Sequence, residues 1–176
     1  MGRHISLVPQ SFAAAIALDD DLIFRKMEIG TKAPEILGKD QDGKVVALSD
    51  FAGKKLALYF YPKDNTPGCT SEACSIRDNY ASLCEQGYAV VGVSTDSAAS
   101  HQRFIAKYEL PFPLIADTEK ALATTFGVWG EKKMCGRTYM GMLRTTFIVN
   151  EEGIVEHIFT PKQIKVKEHA SQILAL

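Results

Sequence analysis

Four cysteines, Cys69, Cys74, Cys84 and Cys135, carry most of the chemical potential of this 176-residue chain. Cys69 ends the segment Tyr61-Pro62-Lys63-Asp64-Asn65-Thr66-Pro67-Gly68-Cys69. Before it, Leu56 to Tyr61 is a continuous apolar run stopped by Pro62, the pattern of a buried strand. After it, Ala73, Ile76, Tyr80 and Leu83 recur at helical spacing. The spacing predicts a helix from Cys69 to Gln86, stopped by Gly87. Cys69 therefore starts a helix just beyond the C-terminal end of a strand, the edge where α/β sheets place their sites. A helix N-terminus offers free N–H groups and a positive dipole end, and both favour thiolate over thiol. Thiols so placed have pKa values of roughly 3.5–7.5, against about 8.5 for a free one. An unperturbed thiol is only about 3% ionised at pH 7; one with a pKa of about 6 is about 90% ionised. Thr66 brings a hydroxyl three residues before the thiol, fit to bond the sulfur or an oxygen beside it. Pro62 and Pro67 stiffen the loop and each removes a donor.

Cys74 follows five residues on. In an α-helix that is a rise of about 7.5 Å and a turn of about 140°, which puts the Cα atoms about 8.7 Å apart. A disulfide wants 4.4–6.8 Å. A bond between the two would therefore require the first helical turns to unwind. The cysteines share no zinc-ligand spacing and no His lies near them, so metal binding is not expected. Cys84, some four turns along the same predicted helix, and Cys135 read as passive.

The remaining elements must hold that turn in place. Lys39 to Lys44 is a turn signal between short extended runs, hence an N-terminal hairpin. Tyr88 to Val93 is a second buried strand, Ser97 to Glu109 a helix, Pro113 to Ala116 a short strand and Glu119 to Phe126 a short helix. Thr145–Val149 and Ile154–Phe159 form a hairpin, and Ile164 to Leu174 a closing helix. Strands alternating with helices, then an antiparallel hairpin, imply an α/β fold: a mixed central sheet with helices on both faces.

Composition agrees with a globular domain: 46% hydrophobic and 23% charged. The net charge of −1, from 20 basic and 21 acidic residues, gives no basic surplus for nucleic acid. No apolar run is long enough to span a membrane. A chain of this length folds on its core without a disulfide scaffold, which favours a chemical use of cysteine. Residues 1–26 read as an extension outside the domain that begins at Met27. Their short apolar run, Phe12 to Leu18, is followed at once by Asp19, Asp20 and Asp21, which fits neither a secretory signal nor a mitochondrial presequence. A cytoplasmic location is expected, since a recyclable thiol needs a reducing supply.

Pro62, Thr66 and Cys69 resemble the active-site signature of peroxiredoxins. The longer run from Tyr59 to Thr70, with Cys74 after Glu72-Ala73, is similar to the Q-type subclass, also called bacterioferritin comigratory protein. Further matches are Gly30, Ala33 and Pro34; Leu48-Ser49-Asp50-Phe51; Gly92 to Asp96; Phe126 to Lys132; and Arg144-Thr145-Thr146-Phe147. The resemblance runs from about Met27 to the C-terminus. It implies a thioredoxin-like fold and a thiol peroxidase of hydrogen peroxide and organic hydroperoxides. By family role Cys69 is the peroxidatic cysteine and Cys74 the resolving one, Thr66 and Arg144 hold the peroxide oxygens, and Pro62 shields the thiolate. The resemblance also implies no metal or organic cofactor, recycling by thioredoxin or a similar dithiol, and a monomer or at most a weak dimer. Arg77, on the helix of Cys69, is a weaker candidate cation. Cys135 departs from the aromatic residue common at its position. In the loop after Trp129, it is a possible second resolving or mixed-disulfide partner.

Three other readings compete. A cysteine hydrolase needs a Cys–His pair, but His4 lies in the extension, and His101, His157 and His169 occupy no special position and read as surface residues. A protein disulfide oxidoreductase uses Cys-x-x-Cys, which is missing. A redox sensor shares the first two chemical steps without rapid turnover.

Overall fold

The computed structural model describes residues 27–176; the reading of residues 1–26 lies outside them. Five strands form the central sheet in the order β5-β4-β3-β8-β9. These are β3 (Lys55–Phe60), β4 (Tyr88–Ser94), β5 (Leu114–Ala116), β8 (Thr145–Val149) and β9 (Val155–Phe159). β3 pairs parallel with β4, and β4 with β5, while β8 runs antiparallel to β3 and β9. The central strand is apolar on both sides because both sides are covered. Leu56, Leu58 and Phe60 join Val91, Phe147 and Val149 in one core, against α4 (Ala121–Thr125) and the β1–β2 hairpin (Ile36–Lys39, Val45–Ala47). Ala57, Tyr59 and Tyr61 join Val90 and Ile148 in the other. That second core is covered by α1 (Pro67–Asp78), α2 (Tyr80–Glu85), α3 (Ala98–Tyr108) and α5 (His169–Leu174). Cys69 lies within it. The mixed sheet with helices on both faces is as expected.

The N-terminal hairpin forms where the turn residues placed it, with Asp40 Oδ1 accepting from the amides of Asp42 and Lys44. α3 begins at an N-cap, Ser97, whose side chain accepts from Ser100 N.

Four expectations need correction. The single helix from Cys69 to Gln86 is two helices, α1 and α2, broken at Asn79. The Asn79 side-chain amide donates to the Ser75 carbonyl at 2.8 Å, so it competes with the backbone there. Cys84 is thus on α2 and not on the helix of Cys69. The segment after Trp129 is no loop but a second hairpin, β6 (Trp129–Met134) and β7 (Arg137–Met142). Cys135 and Gly136 make its two-residue turn, with φ of +53° and +75°. The closing helix is only α5, His169–Leu174. Finally, His101 and His169 are fully buried rather than surface residues.

Candidate active site

α1 starts where β3 and the loop after it end. Thr66 is its N-cap, Pro67 is helical position one, and Cys69 is position three. Thr66 does not cap with its side chain; its hydroxyl donates to the Lys63 carbonyl at 2.9 Å. The oxygen's lone pairs therefore remain to accept a hydrogen bond from a bound ligand. The first α-helical bond of the loop–helix junction is Thr70 N to Thr66 O at 2.8 Å. The amides of Gly68 and Cys69 precede it, have no intrahelical acceptor, and point out of the helix end.

Arg144 enters from the strand on the other side of β3, just before β8. Its Nη2 donates to Cys69 Sγ at 3.3 Å. Its Nη1 donates to Glu72 Oε2. Gly68 makes room for this: a Cβ there would sit 3.3 Å from Arg144 Nη2. Cys69 is buried and Arg144 partly so, which removes the water that would otherwise screen the pair. Pro62 is half-buried at the mouth of the loop.

Glu72 was not singled out from the sequence. It stands three residues after Cys69, one turn along the same face, and is completely buried. Burial pushes its carboxyl up to about 7, although the Arg144 charge and hydrogen bond pull the other way. Its second oxygen, Oε1, has no hydrogen-bond partner among the described residues. His169 Nε2 is 3.9 Å from it. The tautomer of His169 follows from Gln172, whose Oε1 accepts from Lys165 N and whose amide donates to Gln163 O. His169 Nδ1 must then donate to Gln172 Oε1 at 3.1 Å, and Nε2 accepts from the Thr146 hydroxyl at 2.7 Å. Burial holds the ring below its usual pKa, and the Arg144 charge adds to that. The ring is neutral, so Glu72 has one cationic partner, Arg144.

A further cation, Lys132 of β6, reaches back to donate to the Met142 carbonyl at 3.0 Å. Burial lowers its pKa, as does the Arg144 charge, while Cys69 raises it. Arg77 takes no part here: it bonds Asp78 and the Tyr108 carbonyl. Cys74, one turn beyond Cys69 on α1, is partly exposed, and all four cysteines are free thiols. Cys84 and Cys135 are exposed.

The arrangement suits one kind of chemistry. A buried sulfur lies at a helix start, with a guanidinium on it, free amides beside it, and a hydroxyl three residues earlier. A nucleophilic sulfur fits there, and negative charge on an oxygen next to it meets donors already in place. Among the described residues the side-chain partner of Cys69 Sγ is Arg144 and not a histidine, so no Cys–His pair is seen there.

Comparison with known proteins agrees with this chemistry. Residues 29–158 match the AhpC/TSA family. Peroxiredoxin Bcp of Bacillus subtilis is 47% identical over 148 residues, covering 84% of this chain and 93% of that protein. A putative peroxiredoxin bcp of Coxiella burnetii is 43% identical over 84% of this chain and 97% of its own length. Among solved structures, a cysteine-to-serine variant of Xylella fastidiosa PrxQ superposes with a TM-score of 0.77 at 33% identity, over 86% of this chain and 96% of that one. The Xanthomonas campestris bacterioferritin comigratory protein, described for its alkyl peroxide reduction activity, gives 0.74 at 36%, over 85% and 94%.

Proposed function

The chain belongs to the AhpC/TSA family, among the Bcp and Q-type peroxiredoxins, and is therefore a thiol peroxidase that reduces peroxides; from that premise we propose that Cys69 is its peroxidatic thiol and Cys74 its resolving one. The peroxiredoxin domain is residues 27–176, with Met27 already buried in the core. The observation that carries the reading is the Arg144 Nη2 to Cys69 Sγ bond, made at the N-terminal turn of α1.

The Cys69 thiolate attacks one oxygen of a hydroperoxide in line with the O–O bond. An S–O bond forms and the O–O bond breaks. Cys69 becomes sulfenic acid, and the alkoxide or hydroxide released takes a proton from water to leave as alcohol or water. Arg144 and the free amides of Gly68 and Cys69 stabilise charge on the oxygens, while Thr66 Oγ1 accepts a hydrogen bond from the hydroperoxide O–H, whose proton stays on the oxygen transferred to sulfur. Pro62 keeps water from the sulfur. Hydrogen peroxide and organic hydroperoxides both fit this scheme.

α1 then unwinds from its N-terminal end, because Cys69 and Cys74 cannot bond in intact helix. The Cys74 thiol condenses with the sulfenic acid, releasing water and leaving a disulfide. Thioredoxin or a similar dithiol reduces it by exchange, taking the disulfide onto itself and returning two thiols. This cycle needs neither metal nor organic cofactor. It belongs in a reducing compartment such as the cytoplasm, and among the described residues no helix is long and apolar enough to cross a membrane. The likeness to the Q-type subclass favours a monomer, or at most a weak dimer.

The test is one equivalent of hydrogen peroxide added to reduced protein, with disulfides mapped by peptide mass spectrometry. Wild type is expected to give a Cys69–Cys74 bond, and Cys74→Ser a sulfenic or sulfinic Cys69. A Cys69–Cys135 bond would move the resolving role to the hairpin turn. A Cys69 that stays a thiol would defeat the reading.

A further inference from the structure

His101 of α3 is fully buried and far along the chain from Cys69, yet both of its ring nitrogens are engaged. Nε2 is 3.0 Å from the Ile115 carbonyl, which only accepts, so Nε2 carries a proton. Nδ1 is 2.7 Å from Asp64 Oδ2. Asp64 also accepts from the Tyr61 hydroxyl at 2.6 Å and the Ser100 hydroxyl at 2.8 Å. Burial alone would push the Asp64 carboxyl up, but the bonds from His101, Tyr61 and Ser100 outweigh it and hold it below its ordinary value. These bonds favour the carboxylate form of Asp64, with His101 Nδ1 and two hydroxyls gathered on it.

Asp64 is in the loop between β3 and α1, the loop that carries Pro62 and Thr66. That loop has no strand ladder to fix it, and Asn65 holds a left-handed φ of +60°. Side chains fix it instead. Asp64 N donates to Asp96 Oδ2 at 2.8 Å, and Ser94 Oγ donates to the same oxygen at 2.6 Å. Asn65 Oδ1 accepts from Lys107 Nζ and the Tyr108 hydroxyl. These anchors lie on the end of β4, on the turn after it and on α3. None is on α1, the helix that must unwind for Cys74 to reach Cys69. The polar atoms of Asp64, Asp96 and His101 lie within 4.8 Å of one another, as they would around a cation. Here the carboxylate oxygens nearest the ring are taken by the donors named.

We infer that His101 is a positioning residue of the peroxidase reaction: through Asp64 it clamps the loop that sets Pro62 and Thr66 against Cys69, and it holds that loop still while α1 unwinds. The inference rests on Cys69 being the peroxidatic thiol. It makes the two chemical steps separable. The clamp serves the attack on peroxide, which needs the loop in register. It does not serve the resolving step, which depends on how easily α1 opens.

The test measures both steps in the full chain by rapid mixing with hydrogen peroxide, acid quench and mass spectrometry. His101→Leu keeps the bulk and removes both ring nitrogens; His101→Asn restores one polar group near the place of Nδ1. His101→Leu is expected to slow Cys69 oxidation roughly ten- to a hundredfold, the scale of a small misplacement of reacting groups. Disulfide formation from the sulfenic acid should change by less than about twofold, and His101→Asn should recover most of the oxidation rate. If His101→Leu does not fold, Ser100→Ala decides, with a smaller slowing expected in the oxidation step alone. Oxidation at the wild-type rate, or equal slowing of both steps without rescue by Asn, would overturn the inference. An unreactive Cys69 in wild type would instead overturn the assignment of the peroxidatic thiol.

Discussion

Gly68 and Arg144 are fitted to each other: the Cβ that glycine lacks would stand 3.3 Å from Nη2, the nitrogen that donates to Cys69 Sγ. A methyl group there is tighter than ordinary contact, so the guanidinium must give by a few tenths of an ångström. The helix itself tolerates alanine better than glycine. Gly68→Ala should therefore keep or raise the melting temperature and slow Cys69 oxidation several-fold, on the order of three- to thirtyfold. Stopped-flow oxidation and thermal unfolding of the same samples check this; an unchanged rate would show that Arg144 does not need its present position.

Arg144→Gln removes the donor to the sulfur and the cationic partner of Glu72. Loss of a donor aimed at developing charge costs roughly 10²–10³ in rate, and that fall is expected in the peroxide step. The effect on stability should depend on pH. Below about 7, Glu72 takes a proton and tolerates the loss. Above it, wild type gains from the Arg144–Glu72 ion pair, whereas the variant must keep Glu72 protonated or bury its charge unpaired. The drop in melting temperature should be larger at pH 8 than at pH 6, and an equal drop would count against the burial of charge at Glu72.

Glu72→Gln tests the same group from the other side. The folded-state value of about 7 lies above the ordinary 4.5. Between those values the folded chain holds a proton that the unfolded chain releases. Glu72 thus contributes stability that is full below about pH 4.5 and lost as pH rises through about 7. Without it, urea midpoints should fall less from pH 5 to pH 8 than in wild type. Parallel curves would mean that Glu72 is ionised throughout.

The parts of this site that were legible in the sequence were local ones. Leu56 to Tyr61, Pro62 and the helical spacing after Cys69 place the thiol at a strand-to-helix turn, because strand, breaker and helix are written within about twenty residues. Glu72 was also within reach, since an acid three residues from a helical cysteine shares its face. Arg144 was not legible from spacing: it comes from 75 residues away, and only the β3–β8 register brings it to α1. The partners of His101 and His169 are distant in the same way. The break at Asn79 was hidden because Tyr80 and Leu83 carry on the apolar period of Ala73 and Ile76. The β6–β7 hairpin was hidden because Glu131, Lys132 and Lys133 interrupt any apolar alternation; only its base, Trp129 and Met142, reaches the core.

The resolving step turns on what holds α1 closed. Its middle is tied to α5 by one bond between elements, Ala170 N donating to Ser75 Oγ at 3.2 Å, with Ser75 buried. Glu72 ties it to Arg144, but that contact also serves the thiolate and cannot be removed alone. Ser75→Ala removes the α5 tie and leaves Cys69, Arg144 and Thr66 untouched. A net hydrogen bond is worth about 0.5–1.5 kcal/mol, so opening should become roughly two- to tenfold easier. The expected result is faster Cys69–Cys74 disulfide formation and less sulfinic acid at high peroxide, with the first oxidation step unchanged. Cys74→Ser is the control. It should accumulate sulfinic Cys69 and, when oxidised, keep the hydrogen-exchange protection of α1 that oxidised wild type loses. Protection of α1 in the wild-type disulfide form would mean that the helix does not unwind, and that the two sulfurs meet by some other movement.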